Sequence, residues 1–118
     1  AGPGAAVAGL TTGTGPAVEG VTWGSGSAIV AQIVSPANRR PAISASTSGP
    51  GAAVQASGTG TGGRGVVASG AAAPLQLTPG SASTHPTAGQ TGDLYVDASA
   101  RLWYCRSGGT TATWAQLA

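Results

Sequence analysis

Outside Ser, Thr, Tyr and Arg, five residues are able to carry acid–base, nucleophilic or metal chemistry: Glu19, His85, Asp93, Asp97 and Cys105. A thiol and an imidazole need only meet in space to form a nucleophile–base pair, so Cys105 with His85 is one arrangement to weigh. Against it, Cys105 follows Trp103 in an apolar run, the setting of a buried strand cysteine, and His85 precedes Pro86 in a segment that reads as a linker. Asp93 and Asp97, four residues apart, could approach as an acid/base pair. Flanking a strand, they are expected instead to face water and guard an edge against aggregation. A threefold assembly would bring copies of His85, or of one Asp, to a common axis, but no other ligand type supports an ion site there. One cysteine excludes an intrachain disulfide and any multi-cysteine metal site within one chain. The expectation is no catalytic residue, no cofactor and no metal.

Other classes of site are also poorly supplied. The five cationic residues, Arg39, Arg40, Arg64, Arg101 and Arg106, face Glu19, Asp93 and Asp97, leaving a net charge of +2. No dense basic stripe exists to neutralise many phosphates, so nucleic-acid binding is not expected. The pair Arg39 and Arg40 could meet an anionic ligand and reads more simply as a solvated loop. No GxGxxG stands between a strand and a helix, and a chain without Lys has no Walker-type phosphate loop. Membrane insertion is not expected either, because no apolar run approaches the roughly 20 residues of a spanning helix. The sequence opens without Met and without a signal-peptide pattern, as expected of a processed end or a piece of a longer chain, with room for an export signal or adjoining domains upstream. Missing Lys and Phe, with abundant Ala, Gly, Pro and Arg, fit a GC-rich genome.

The elements that must position these residues follow from composition and repetition. Gly 21 and Pro 8 among 118 residues would ordinarily indicate a disordered polymer. A mean hydropathy of +0.14 and a charged fraction of 7% oppose that reading and favour an ordered, unusual fold. The first half repeats Gly-x-Gly-x-Ala-aliphatic-x-small, at Gly2 to Gly9, Gly13 to Gly20, Gly24 to Ala31 and Gly49 to Ala56, with looser copies at Arg39 to Ser46 and Gly62 to Ser69. Its aliphatic positions are Val7, Val18, Ile29, Ile43, Val54 and Val67, spaced 11, 11, 14, 11 and 13 residues apart. A period of eleven also suits a right-handed coiled coil. Two glycines per unit at about 1 kcal/mol each, and prolines at about 3, exclude helix. Each unit is expected to form a short strand centred on the aliphatic residue, followed by a Gly-rich turn.

Such a unit has little to bury by itself. The first 80 residues hold only 15 side chains from Val, Ile, Leu, Trp and Tyr. An extended eleven-residue unit spans at most about 36 Å, too short for a wide three-sided coil made by one chain. Three chains around a common axis would let each donate one face per layer. The segment Gln32 to Arg40 interrupts the rhythm and reads as an extra strand and a protruding turn; Leu75 and Leu77 alternate as a strand. Residues 81–91 read as a linker.

From Gly92 onward the chain contains both tyrosines, two of the three tryptophans and the cysteine. Strands are expected within DLYVD, RLWYCR and TWAQL, with Leu94 and Val96 on one face, Leu102 and Tyr104 opposed to Trp103 and Cys105, and Trp114 alternating with Ala115. Both faces of the middle strand are apolar, so one should pack on other copies or on the end of the repeats. The segment GDLYVDASARLWYCRSGGTTATWAQL resembles the C-terminal caps of bacterial and phage repeat proteins, and the GxGxAV units are similar to repeats of trimeric tail-fibre and cell-surface β-helix proteins. Ala100 departs from that pattern, standing where a Gly is usual. The resemblance implies a trimeric, elongated fibre or surface appendage.

The fold expected is therefore all-β: a trimeric β-helix-like Gly-rich stalk over 1–80, a linker over 81–91 and a three-stranded antiparallel meander cap over 92–118. The function expected is that of a non-enzymatic structural module, homotrimeric through a shared core, in an extracellular, cell-surface or virion setting. Two alternatives stay open: a carbohydrate- or other ligand-binding module that uses Trp23, Trp103 or Trp114 as stacking surfaces, and an ice-binding β-solenoid, against which stands the irregular placing of Thr12 to Thr14 and Thr59 to Thr61.

Overall fold

Glycine and proline density keeps the chain out of helix, as the computed structural model shows for the residues it describes, Gly4 and 6–118. The chain is all-β among them: β1 (Leu94–Val96), β2 (Leu102–Ser107) and β3 (Thr113–Gln116) form one antiparallel sheet in the order β1-β2-β3. The chain divides into two units, Ala1–Gln55 and Ala56–Ala118. The first repeat copy lies partly outside the described residues.

In the unit Ala1–Gln55 the repeat is visible as recurring local geometry. The backbone N–H of Gly13, Gly24 and Gly49 donates to the hydroxyl of Thr11, Thr22 and Thr47, at 3.2, 3.3 and 3.2 Å. Each Thr lies two residues before the first Gly of a GxG, so the unit is Thr-x-Gly-x-Gly-x-Ala-aliphatic in TTGTGPAV, TWGSGSAI and TSGPGAAV. The hydroxyl closes a local turn that the backbone would otherwise leave open. Successive units also touch. A Cβ on Gly20 would stand 2.7 Å from Ile29 Cγ1, and one on Gly9 would overlap Val18, so an aliphatic side chain covers the glycine nine residues before it.

The short strands expected within each repeat do not form in the single chain. A strand is defined by its ladder, and before Gly80 the backbone–backbone hydrogen bonds among the described residues are the tight turns Asn38 N–H to Ser35 O (3.1 Å) and Gly63 N–H to Gly60 O (2.8 Å). The former is the protruding turn expected after Gln32, completed by Arg40 N–H donating to Asn38 Oδ1 at 2.9 Å. The extra strand before it, and the strand expected at Leu75 and Leu77, likewise lack a partner. All six repeat aliphatics are exposed, by between 66% and 84%.

The meander takes the expected register. Leu94 pairs with Tyr104 and Val96 with Leu102; Tyr104 pairs with Ala115 and Cys105 with Trp114. A bulge between Cys105 and Ser107 shifts the β2–β3 pairing by one residue at Arg106. Residues 80–91, expected as a linker, are bonded to this sheet. Gly80 N–H donates to Val96 O (2.8 Å), Ala98 N–H to Ala82 O (2.8 Å) and Ala112 N–H to Thr87 O (2.8 Å). Gly89 and Gly109 exchange N–H···O bonds of 3.1 and 2.9 Å. The apolar inner face of a three-stranded sheet needs a cover, and this segment supplies it.

Candidate functional site

The densest polar arrangement is built around Asp97, at the end of β1. Its main chain closes the turn to β2: Asp97 N–H donates to Arg101 O (3.0 Å) and Ala100 N–H to Asp97 O (2.9 Å). Its carboxylate is fully buried. Oδ1 accepts from the N–H of Ser99 (2.9 Å) and Arg101 (3.1 Å); Oδ2 accepts from Arg101 Nε (2.8 Å) and Trp103 Nε1 (2.9 Å). The expectation that Asp97 faces water is thus overturned: four donors substitute for the lost hydration. Burial pushes the carboxyl pKa up. The Trp103 indole, the Arg101 and Ser99 amides and the Arg101 side chain more than offset that, holding it below the ordinary 3.8. Such a carboxylate is an ionised structural acceptor, unsuited to holding a proton near neutral pH.

Arg101 bridges outward from this hub. Its Nη2 donates to Ser83 O in the covering segment, and its guanidinium lies 5.5 Å from the Trp103 ring centroid. His85 follows in the same segment. Its ring meets Trp103 edge-on at 4.6 Å and stacks on Trp114 at 5.5 Å and 21°. His85 Nδ1 lies 2.8 Å from Pro86 O, so the protonated Nδ1 donates there. Gly89 allows the cover to close: a Cβ there would stand 2.6 Å from Trp114 Cζ2 and 3.3 Å from Cys105 Sγ.

These contacts settle the pairings weighed from the sequence. Cys105 is buried and its thiol donates to Ser107 O at 3.5 Å, while His85 uses Pro86 O, so no hydrogen bond joins thiol and imidazole. Asp93 is held elsewhere: its Oδ2 accepts from Gln90 N–H at 2.8 Å, and its own N–H donates to Gln90 O at 3.0 Å. The two aspartates therefore occupy separate hydrogen-bond networks. An open cleft of about 410 Å³ is lined by Ala88, Gly89, Gln90, Asp93, Gly109 and Thr110, and Asp93 is its one titratable side chain. Among the described residues no three His, Cys, Asp or Glu side chains come together as a metal site would require.

The remaining sequence candidates divide by region. Trp103 and Trp114 belong to the packed cap, where Trp114 also meets Tyr95 edge-on at 6.4 Å. Trp23 is 99% exposed, between Thr22 and Gly24 in a repeat turn. Arg39 and Arg40 are exposed beside the Asn38 turn. Comparison with known protein families, with curated proteins and with solved structures finds no match to this chain. Two features escaped sequence reasoning. The repeat Thr was legible as a constant offset from GxG; the role of Asp97 was signalled only by its spacing from Arg101 and Trp103.

Proposed function

We propose that this chain is a non-catalytic structural module of a homotrimeric fibre or of a cell-surface or virion appendage, its Gly-rich tract serving as a shared stalk and its C-terminal meander as the cap. The observation carrying this reading is exposed area. One chain presents 10090 Å² to solvent, whereas a compact monomer of 11.1 kDa would present about 5700 Å². The surplus, roughly 4400 Å² per chain, is several times the approximately 800 Å² that one partner contributes to a standard interface. Divided among three mutual interfaces it gives about 4400 Å² for each pair, within the range of obligate assemblies.

Two further features support it. The repeat aliphatics are exposed at a regular spacing, and the tract's main chain has few internal partners, leaving donors and acceptors to pair with neighbouring chains. The test is molar mass in solution by light scattering. Three times 11.1 kDa is the expected result; a folded particle of one chain overturns the reading. A second reading is favoured by the fully exposed Trp23, a ring able to stack on a sugar face. Glycan-array binding that is lost in Trp23→Ala would establish it.

A further inference from the structure

The cap's second sheet face forms two cross-strand apolar rows. The first contains Leu94, Tyr104 and Ala115, paired across all three strands. The second contains Val96 and Leu102, with Leu117 beside Leu102, where Leu117 N–H donates to Leu102 O at 2.7 Å and Leu102 N–H to Ala118 O at 2.7 Å. None of these six side chains carries a charge. The opposite face, with Tyr95, Trp103, Cys105 and Trp114, is covered by residues 80–91, whereas Leu94, Tyr104 and Leu117 remain exposed by 51%, 37% and 58%.

We infer that this face is the contact by which the caps of one assembly dock on each other, each copy presenting the same two rows to its neighbours. The inference rests on the homotrimer proposed above and adds the surface that closes its C-terminal end. Area selects the occupant. The three exposed side chains offer roughly 300 Å², no more than the largest patch on a typical monomer, against the approximately 800 Å² per partner of a stable independent complex. A separate protein would gain too little from such a face to stay bound. Copies already joined through their repeat tracts meet it at high effective concentration, where a small apolar contact suffices. The uncharged rows also suit a partner of their own composition, and their burial removes the sheet's remaining exposed apolar face.

The experiment uses the full-length chain. In Leu94→Arg/Leu117→Arg the covered face is untouched, so the near-ultraviolet circular dichroism of Trp103 and Trp114 is expected to persist while the concentration at half-dissociation rises at least tenfold. Leu117→Cys supplies an independent readout: mild oxidation is expected to yield a species of two covalently joined chains, whereas wild type, with Cys105 buried, does not. A wild-type mass of one chain overturns the trimer and this contact together. A mass of three chains, with unchanged dissociation in the double variant and no cross-linked species from Leu117→Cys, overturns the docking face alone. Protection of the introduced thiol from alkylation without cross-linking also overturns it, by showing that the repeat tract or another molecule covers the face.

Discussion

The repeat tract and the cap satisfy the same backbone chemistry in opposite ways. Before Gly80, each side-chain-assisted turn joins residues two apart, as between Thr22 and Gly24. In the cap, bonds span long stretches of sequence, joining Gly80 to Val96 and Thr87 to Ala112. The cap closes its sheet and covers one apolar face within a single chain, using 39 residues. The tract repeats a turn and leaves its aliphatic residues outside. A short-period repeat has local means to turn and no local means to bury, so its missing layer must come from neighbouring copies. That contrast separates what each region needs: the cap depends on its own buried polar hub, and the tract on assembly.

Four changes break or sharpen the contrast. The largest effect is expected from Val18→Asp. In the proposed trimer it brings three carboxylates close to the shared axis, and the mass measured by light scattering should fall from three chains to one while the cap keeps its near-ultraviolet signal. An unchanged mass would remove Val18 from the shared core. Trp103→Ala acts on the other region. It deletes the ring against His85 and a donor to Asp97, and should cost the cap about 3 kcal/mol in thermal or denaturant melting; a melting curve like that of wild type would show the indole to be dispensable.

Acid should separate the regions next. The folded-state pKa of Asp97 lies below its ordinary value of 3.8, so its contribution is fully present above that value and is lost as pH falls through the folded pKa. The cap should melt at progressively lower temperature as pH drops below about 4. Asp97→Asn should flatten that dependence, and an equally steep profile in the variant would assign it to other groups. The smallest effect is expected from Ala100→Gly. Ala100 has φ of 61°, a left-handed conformation that costs a side-chain-bearing residue about 1 kcal/mol. Glycine should return part of that as a modest rise in cap melting temperature, with no change in mass.

Legibility in the sequence followed the range of the interactions. Alternation placed Trp103 and Cys105 opposite Leu102 and Tyr104 because a strand's side-chain period is two residues wherever it pairs. The GxG and aliphatic spacing likewise revealed the repeat. The segment 81–91 was obscure: His85, Pro86 and Gly89 carry no periodicity, and their role arises from the shape of a sheet surface built by residues that come later in the chain. Asp97 was misread for a related reason. An aspartate flanking a strand ordinarily faces water, and only the convergence of the Trp103 indole, the Arg101 guanidinium and two turn amides makes its burial affordable.

By itself the sequence determined the exclusion of helix, the repeat with its turns, and the strands of the meander, since backbone propensity and side-chain period act over a few residues. Only the tertiary structure decided that 80–91 belongs to the cap, that Cys105 and His85 hold separate hydrogen bonds, and that Asp97 is the hub. Those outcomes depend on which side chains meet across the sheet and its cover, and such meetings are set by packing, which no short stretch of sequence encodes.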